Sequence, residues 1–130
     1  MAKILVVEDI PAVMFSLRMV LQGGGHQVTT AANGVQGLAL LKDSRFDLVV
    51  TDIWMPGTDG AAVIAEGRRI APGTRFLAIT GGSPNGTITA ERLEGESFGA
   101  DRILFKPFER DEILGAVNEL VAAASQRSPQ

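Results

Sequence analysis

Four short apolar segments of this chain each end in a residue whose side chain suits phosphoryl chemistry. They are residues 4–7 before Glu8 and Asp9, 48–51 before Asp52, 76–79 before Thr80, and 103–105 before Lys106. Segments this apolar are typical of strands that are buried on both faces of a parallel sheet. Parallel strands bring their carboxyl ends to one edge of the sheet, and ligands bind there. The sequence therefore predicts an acidic, metal-binding site at which Asp52 accepts a phosphoryl group.

Helical periodicity separates these segments. Pro11 suits the first turn of a helix that glycines at 23–25 end, and Asp59 suits the N-cap of another helix. The remaining predicted elements are a strand at 27–31, a helix opening at Asn33, a loop at 81–86, a weaker helix at 88–98 and a last helix carrying apolar residues from 113 to 121. Right-handed crossovers then give an α/β fold, a doubly wound five-stranded parallel sheet with five helices.

The length of 130 residues suits one domain with a core of its own. We assign that domain to residues 1–122 and a short flexible C-terminal tail to 123–130, where small and polar residues replace the apolar stripe. The start at Met1 and the polar tail favour a complete, single-domain chain. A domain cut from a longer protein is the alternative.

Composition excludes several classes of site. The chain has no cysteine, and its one histidine, His26, cannot build a histidine metal cluster, so thiol chemistry, disulfides and cysteine-ligated zinc are excluded. A formal net charge of -3 argues against direct binding of nucleic acid, which relies on a basic surface. The sequence contains neither a secretory signal nor an apolar segment long enough to span a membrane. A cytoplasmic protein with no membrane contact is the expectation.

The three carboxylates Glu8, Asp9 and Asp52 are predicted to form one cluster. Two carboxylates ~4 Å apart repel each other by about 4 kcal/mol at an effective dielectric of 20, so the cluster must take up protons or hold a cation. Ligands that are all oxygens favour a hard ion such as Mg²⁺, which often shares its coordination sphere with a phosphate. The plainer alternative is that each acid merely caps a helix.

Each remaining edge residue suits a step of phosphoryl transfer. The Asp52 carboxylate can act as a nucleophile and form an aspartyl phosphate. Lys106 can pair with Asp52 before transfer and with a phosphoryl oxygen afterwards. Thr80 offers a hydroxyl to that oxygen, and Gly81 leaves room for an incoming donor. The plainer alternatives are a surface lysine and an ordinary threonine at the end of a strand.

In combination, these residues resemble the receiver domain of two-component response regulators, from Lys3 to about Ala122. The resemblance is carried by Glu8-Asp9, the run from Phe46 to Gly60, Thr80-Gly81, Gly99-Ala100-Asp101 and Lys106-Pro107-Phe108. It implies a flavodoxin-like receiver fold with strand order 2-1-3-4-5, and phosphorylation of Asp52 by a histidine kinase or histidine phosphotransfer protein.

The resemblance also implies site details. Mg²⁺ would be held by Asp9, Asp52 and the backbone carbonyl of Trp54, with Glu8 acting through water. A cis bond between Lys106 and Pro107 is implied. The family pattern further includes Asp59 and Gly60 as structural residues after the phosphoacceptor.

The chain departs from the family pattern at several points. Glu8 stands where many relatives have aspartate, and Ile103 replaces the usual switch aromatic three residues before Lys106. The segment between Thr80 and Lys106 is a few residues longer than usual. Trp54 either packs under a loop or overhangs the acidic site and restricts attacking water.

The resemblance implies a phosphoacceptor response regulator acting in a phosphorelay. Such a domain is not an enzyme, since it promotes only its own phosphorylation and dephosphorylation. Phosphorylation would shift the Thr80 loop and change a downstream protein contact through the fourth helix, fifth strand and fifth helix, in a monomer or weak homodimer. Two alternatives are a receiver-like interaction module that no longer switches, supported by Ile103 and the long loop, and an enzyme or cofactor protein of the same architecture. A dehalogenase-type phosphatase would need an aspartate where Trp54 stands, and a flavin phosphate would be repelled by Glu8 and Asp9.

Overall fold

The computed structural model describes residues 2–55, 58–81 and 99–126. In chain order its elements are β1 (Lys3–Val7), α1 (Pro11–Gly23), β2 (Gln27–Ala31), α2 (Gly34–Asp43), β3 (Leu48–Asp52), β4 (Trp54–Met55), β5 (Thr58–Asp59), α3 (Gly60–Ile70), β6 (Arg75–Thr80), β7 (Arg102–Phe105) and α4 (Arg110–Gln126). The five longer strands form one parallel sheet in the order β2-β1-β3-β6-β7. Counted along that sheet the order is 2-1-3-4-5, as predicted.

Two features differ from the predicted element list. The two-residue strands β4 and β5 pair in an antiparallel hairpin that the sequence did not indicate. The last helix continues to Gln126, four residues beyond the predicted end of the domain at 122. The turn at Pro56-Gly57, the loop after Gly81 and the helix at 88–98 lie outside the described residues, within which four helices are present.

Alternate residues of each central strand enter two separate cores, as a sheet covered on both faces requires. On one face, Ile4 and Val6 of β1 pack with the apolar residues of α1 and α4. On the other face, Leu5 and Val7 pack towards α2 and α3. Both clusters consist of side chains that are almost fully buried, so the sheet is rigidly held and its carboxyl edge is a fixed platform for a site.

Helix starts follow the signals read from the sequence. Pro11 occupies the first turn of α1, where its missing N–H costs no helical hydrogen bond. Asn33 caps α2 by accepting a hydrogen bond from the Gln36 N–H at 2.9 Å. Asp59 caps α3 in the same way, from the Ala61 N–H at 2.9 Å. Within the described ranges, every helix is too short or too polar to cross a bilayer.

Candidate functional site

Backbone hydrogen bonds just past the strand ends fix the edge of the sheet where the site lies. They are donated by Glu8 to Ala31 (3.0 Å), by Ile53 to Ile79 (3.0 Å) and by Lys106 to Thr80 (2.8 Å). Each bond continues a strand pairing by one residue. The side chains that leave the sheet at this edge therefore start from backbone positions with little freedom to move.

The predicted carboxylate cluster is present. Glu8, Asp9 and Asp52 each offer an oxygen, and these oxygens all lie within 4.8 Å of one another. Glu8 is fully buried, Asp52 is 4% exposed and Asp9 is half-buried. Among the described residues, Asp9 Oδ1 is buried without a hydrogen-bond partner. A buried oxygen left this way beside two further carboxylates fits a divalent cation, since oxygen donors are the ligands that Mg²⁺ takes.

Lys106 is the cation that the structure places against the cluster. Its Nζ lies 3.0 Å from Asp52 Oδ2 and 3.6 Å from Glu8 Oε1. Burial lowers the pKa of Lys106, but the hydrogen bond and the charge of Asp52, with a further contribution from Glu8, outweigh burial and raise the pKa above its usual value. The ammonium is therefore held in its charged form, as expected for a group that neutralises an anionic site.

Glu8 is the carboxylate with the most unusual environment. Its Oε2 accepts a hydrogen bond from the Ile10 N–H at 3.1 Å. Burial raises the pKa of Glu8 to about 7, and the charge of Asp52 adds to this, although the Ile10 N–H and Lys106 oppose it. In the metal-free protein, Glu8 therefore gains a proton as the pH falls through about 7.

Because the folded-state pKa of Glu8 lies above its unfolded value of 4.5, the folded protein binds more protons than the unfolded chain between those values. Metal-free protein should accordingly lose stability as pH rises from about 4.5 to about 7, by up to roughly 3 kcal/mol. A Glu8→Gln variant should show a flatter profile over this window in chemical denaturation at a series of pH values. An unchanged slope in the variant would show that Glu8 is not the titrating group.

Asp52 is held by its neighbours in sequence as well as by Lys106. The Trp54 N–H donates to its Oδ1 at 3.3 Å, and the Thr51 hydroxyl donates to its carbonyl at 3.0 Å. The start of α3 lies directly against it, because a Cβ built on Gly60 would come within 2.4 Å of the Asp52 carbonyl oxygen. Gly60 is therefore a structural residue of the site for a steric reason.

The other predicted residues lie where the strand pattern places them. Thr80 ends β6 and is buried, and the register that pairs Asp52 with Ile79 puts it one residue further along the edge. Gly81 is exposed, and a Cβ there would come no closer than 3.8 Å to the side chain of Lys106. The bond between Lys106 and Pro107 is cis, as predicted.

Trp54 and Ile103 both contact the core. Each is partly buried against the cluster that lies between the sheet and helices α2 and α3. For Trp54 this contact is the one that the packing interpretation predicts. For Ile103 it means that the position of the family's switch aromatic holds an aliphatic side chain within the core.

Sequence reasoning missed one set of contacts, which lies at the opposite end of β7 from the site. Asp101 appeared only as part of the Gly99-Ala100-Asp101 motif, yet its carboxylate joins Arg68, Arg75 and the backbone of Phe76. These partners are 25 to 33 residues away in sequence, and they meet only because β7 lies beside β6. The sole signal in the sequence was an acid immediately before a strand.

Comparison with known proteins gives consistent similarities. A family model described as response regulator receiver domain matches residues 4–118. The transcriptional regulatory protein TcrA of Mycobacterium tuberculosis is 38% identical over 127 residues, 98% of this chain and 47% of that protein. Protein PilH of Pseudomonas aeruginosa is 32% identical over 122 residues, 94% of this chain and 99% of PilH.

Solved structures agree with these sequence matches. The response regulator TrrA of Thermotoga maritima, in complex with Mg(2+)-BeF, superposes with a TM-score of 0.79 at 31% identity, covering 92% of this chain and 99% of TrrA. The chain spans about half the length of several curated relatives it matches, namely TcrA, the response regulator MprA of Mycobacterium species and ResD of Bacillus subtilis.

Proposed function

Since the chain belongs to the response regulator receiver domain family, we propose that Asp52 is the residue through which it accepts a phosphoryl group in two-component signal transduction. The observation that carries this proposal is the position of the Asp52 carboxylate, 3.0 Å from the ammonium of Lys106 and within 4.8 Å of two further carboxylates. This arrangement offers a nucleophile, a counter-charge and a set of metal ligands in one place. A signalling domain that acts only on its own phosphorylation state needs nothing more.

The residues present fit Mg²⁺. Asp9 and Asp52 would bind it directly with the Trp54 carbonyl, and Glu8 would act through a water. When bound, the ion neutralises charge on the transferring phosphoryl oxygens. Support comes from the buried, unpartnered oxygen of Asp9 among the described residues and from the Mg(2+)-BeF complex of the similar TrrA protein.

In the transfer, an Asp52 oxygen attacks the phosphorus of a phosphohistidine. The new oxygen–phosphorus bond forms as the bond from phosphorus to the imidazole nitrogen breaks, which leaves an acyl phosphate on Asp52 and the free imidazole on the donor. Lys106 then exchanges its contact with the carboxylate for one with a phosphoryl oxygen, and the hydroxyl of Thr80 donates to another. Gly81 leaves the approach open.

Site mapping tests the role of Asp52. After incubation with acetyl phosphate and Mg²⁺, borohydride reduction converts an acyl phosphate to an alcohol at the modified residue. Peptide mass spectrometry should locate that alcohol at Asp52. Its appearance at Asp9 or Glu8 instead, or its absence from all three residues, would contradict the assignment.

The surface beside the site supports a protein as phosphodonor, a histidine kinase or a histidine phosphotransfer protein. Ile10, Phe15 and Met19 are large apolar side chains exposed by 47%, 56% and 53%. Phe15 and Met19 lie on α1. Other residues of α1 line a groove of about 490 Å³ between α1 and α4, and that lining reaches Lys106 itself. A donor that must bring its phosphohistidine to Asp52 would cover this surface, because the groove is continuous with the site.

Phe15→Ala combined with Met19→Ala should therefore slow phosphorylation by a phosphohistidine protein about tenfold or more, since the few side chains that anchor an interface each cost more than about 1 kcal/mol when truncated to alanine. Acetyl phosphate needs no docking surface, so its rate should stay at the parent value. Val35→Ala, at an 80% exposed apolar residue on α2, is the matched control. Equal slowing with both donors would show that the change acts on the site and not on docking.

A downstream protein target would bind the face formed by the fourth helix, fifth strand and fifth helix of the family fold. Its described parts are β7 and α4, and the predicted helix at 88–98 lies outside the described residues. Phosphorylation would shift the equilibrium between two conformations of the domain. In typical cases such a shift changes the free energy of partner binding by about 1–3 kcal/mol. Hydrogen exchange in β7 and α4 should change on phosphorylation. Unchanged hydrogen exchange there would show that the target binds another surface, or that the domain is an interaction module that does not switch.

We further propose a receiver domain at 1–122, with the last helix extending past it to Gln126. We propose that it acts in the cytoplasm as a monomer or weak homodimer, without binding nucleic acid directly. The formal net charge of -3 supports the last point. Sedimentation at increasing concentration tests the oligomeric state, and a stable dimer at micromolar concentration would contradict it.

Beyond its contact with the core, Trp54 is proposed to restrict the access of water to the phosphoryl group. It follows Asp52 by two residues, and its backbone N–H donates to Asp52 Oδ1 at 3.3 Å. Trp54→Ala should shorten the lifetime of the phosphorylated form about threefold, equivalent to ~0.6 kcal/mol in the barrier to hydrolysis. Trp54→Phe, which keeps an aromatic ring, should lie closer to the parent. Identical rates of dephosphorylation in all three proteins would defeat the proposal.

A further inference from the structure

The start of β7 is held by a cluster of ion pairs at the end of the strand opposite the acidic site. Asp101, just before β7, accepts hydrogen bonds from the Phe76 N–H at 2.8 Å and from Arg75 Nη1 at 3.1 Å. Arg68 Nη2 lies 3.0 Å from its Oδ2, and Arg68 Nε donates to the Gly99 carbonyl at 2.6 Å. One carboxylate therefore joins α3, β6 and the turn before β7.

The ion pairs of Asp101 with Arg68 and Arg75 hold the start of β7 strongly in place. The side chains of Arg75 and Asp101 are only 15% and 16% exposed, so water screens their contact weakly. Burial raises the pKa of Asp101, but the Phe76 N–H and Arg68 outweigh it and hold the pKa below its usual value. Hydrogen bonds between ionised partners are roughly twice as strong as neutral ones.

Strand β7 depends on such an anchor more than the other strands do. It has four residues and, in the described part of the chain, pairs only with β6. The Phe76 N–H, which a longer strand would satisfy with a backbone carbonyl, is bonded instead to the Asp101 side chain. A slip of one residue would move the strand by about 3.3 Å and send each side chain to the opposite face.

The residue that such a slip would displace is Lys106. It follows β7 directly, its N–H donates to Thr80 at 2.8 Å, and its Nζ reaches Asp52 at 3.0 Å. Its reach into the site is thus set by the register of a short strand with two fixed ends. One end is the bond to Thr80, and the other is Asp101.

We propose that Asp101 is a positioning residue for Lys106, holding the register of β7 so that the ammonium reaches the phosphoacceptor from the far end of the strand. Arg68 and Arg75 are the partners that hold Asp101 itself. This role rests on the proposed function of Asp52 and deepens it, because it places part of the site's preorganisation outside the site.

A double-mutant cycle distinguishes positioning from general stability. The rate of metal-dependent phosphorylation by acetyl phosphate is compared for the parent, Asp101→Ala, Lys106→Met and the double variant, with thermal unfolding measured in parallel. Asp101→Ala should lower the rate about tenfold or more, since a misplacement of ~1 Å can cost up to a hundredfold. In the Lys106→Met background the same change should have no further effect on the rate, while still lowering the melting temperature.

Asp47→Ala is the matched control. Asp47 Oδ2 accepts a hydrogen bond from the Lys3 N–H at 2.8 Å, the equivalent cap at the start of β1. Because β1 is held between two strands, this variant should keep the parent rate. Should Asp101→Ala fail to fold, Asp101→Asn replaces it in the double-mutant cycle, because asparagine retains an oxygen that can accept from the Phe76 N–H.

The outcomes separate the two claims. An equal loss of rate from the Asp101 change in both backgrounds, or a parent rate in the Asp101 variant, would overturn the positioning role while leaving Asp52 as the phosphoacceptor. A parent protein that takes up no phosphoryl group would overturn the proposed function, and the positioning role with it.

Discussion

Lys106→Met is expected to reduce metal-dependent phosphorylation of Asp52 by more than about tenfold, because it removes the cation that we propose to stabilise the transferred phosphoryl oxygens. It should also lower the free energy of unfolding of the metal-free protein at pH 8. The two carboxylates that contact Lys106 are buried, whereas the lysine side chain is 24% exposed. We therefore expect a loss of about 2–3 kcal/mol, below the ~3–5 kcal/mol seen when a fully buried pair is broken.

The loss of stability should depend on pH and on metal. Burial raises the pKa of Glu8 to about 7, so at pH 6 this group is largely protonated and the missing ammonium costs less. Mg²⁺ should restore part of the loss by supplying positive charge. Lys42→Met, at an exposed lysine near the end of α2, is the control and should leave both phosphorylation and stability near the parent values. A Lys106 variant phosphorylated at the parent rate would contradict the role given to the ammonium.

Gly60→Ala is expected to damage both fold and site. The added Cβ would lie 2.4 Å from the Asp52 carbonyl oxygen and 2.5 Å from the Ile53 Cα, distances that force backbone to move. Overpacking of this kind costs about 1–3 kcal/mol. Since the displaced backbone carries Asp52, the rate of phosphorylation should fall more than the loss of stability alone explains.

Gly115→Ala provides the contrast for this substitution. Nothing lies within 4 Å of a Cβ at Gly115, which is inside α4. Alanine there should stabilise the protein by about 0.5–1 kcal/mol, since it restricts the unfolded chain and favours the helix. Urea denaturation of both variants tests the pair. Equal stability of the Gly60 and Gly115 variants would show that α3 can shift away from Asp52 without cost.

Local patterns in the sequence were enough to predict most of the fold. The continuous apolar segments that predict buried strands depend on neighbouring residues alone. The same holds for the helix signals at Pro11, Asn33 and Asp59. Because the carboxyl ends of parallel strands meet at one edge of the sheet, Asp52 and Lys106 were predicted to lie together, although they are 54 positions apart in sequence. The strand order itself came from the family resemblance, not from the pattern.

Features that the sequence did not predict depend on contacts across the finished sheet. The Asp101 cluster needs β7 to lie beside β6 before Arg68 and Arg75 can meet one carboxylate. The groove next to Lys106 exists only because α1 and α4 lie on the same face. The burial of Glu8, which raises its pKa, likewise follows from the packing around it.

Intact-mass spectrometry after incubation with acetyl phosphate, with and without Mg²⁺ and beside Asp52→Asn, tests the central claim most directly. The account predicts a metal-dependent gain of one phosphoryl group in the parent that is absent from the variant. A folded parent that gains no mass under any condition, or an Asp52→Asn variant that gains mass as the parent does, would contradict it.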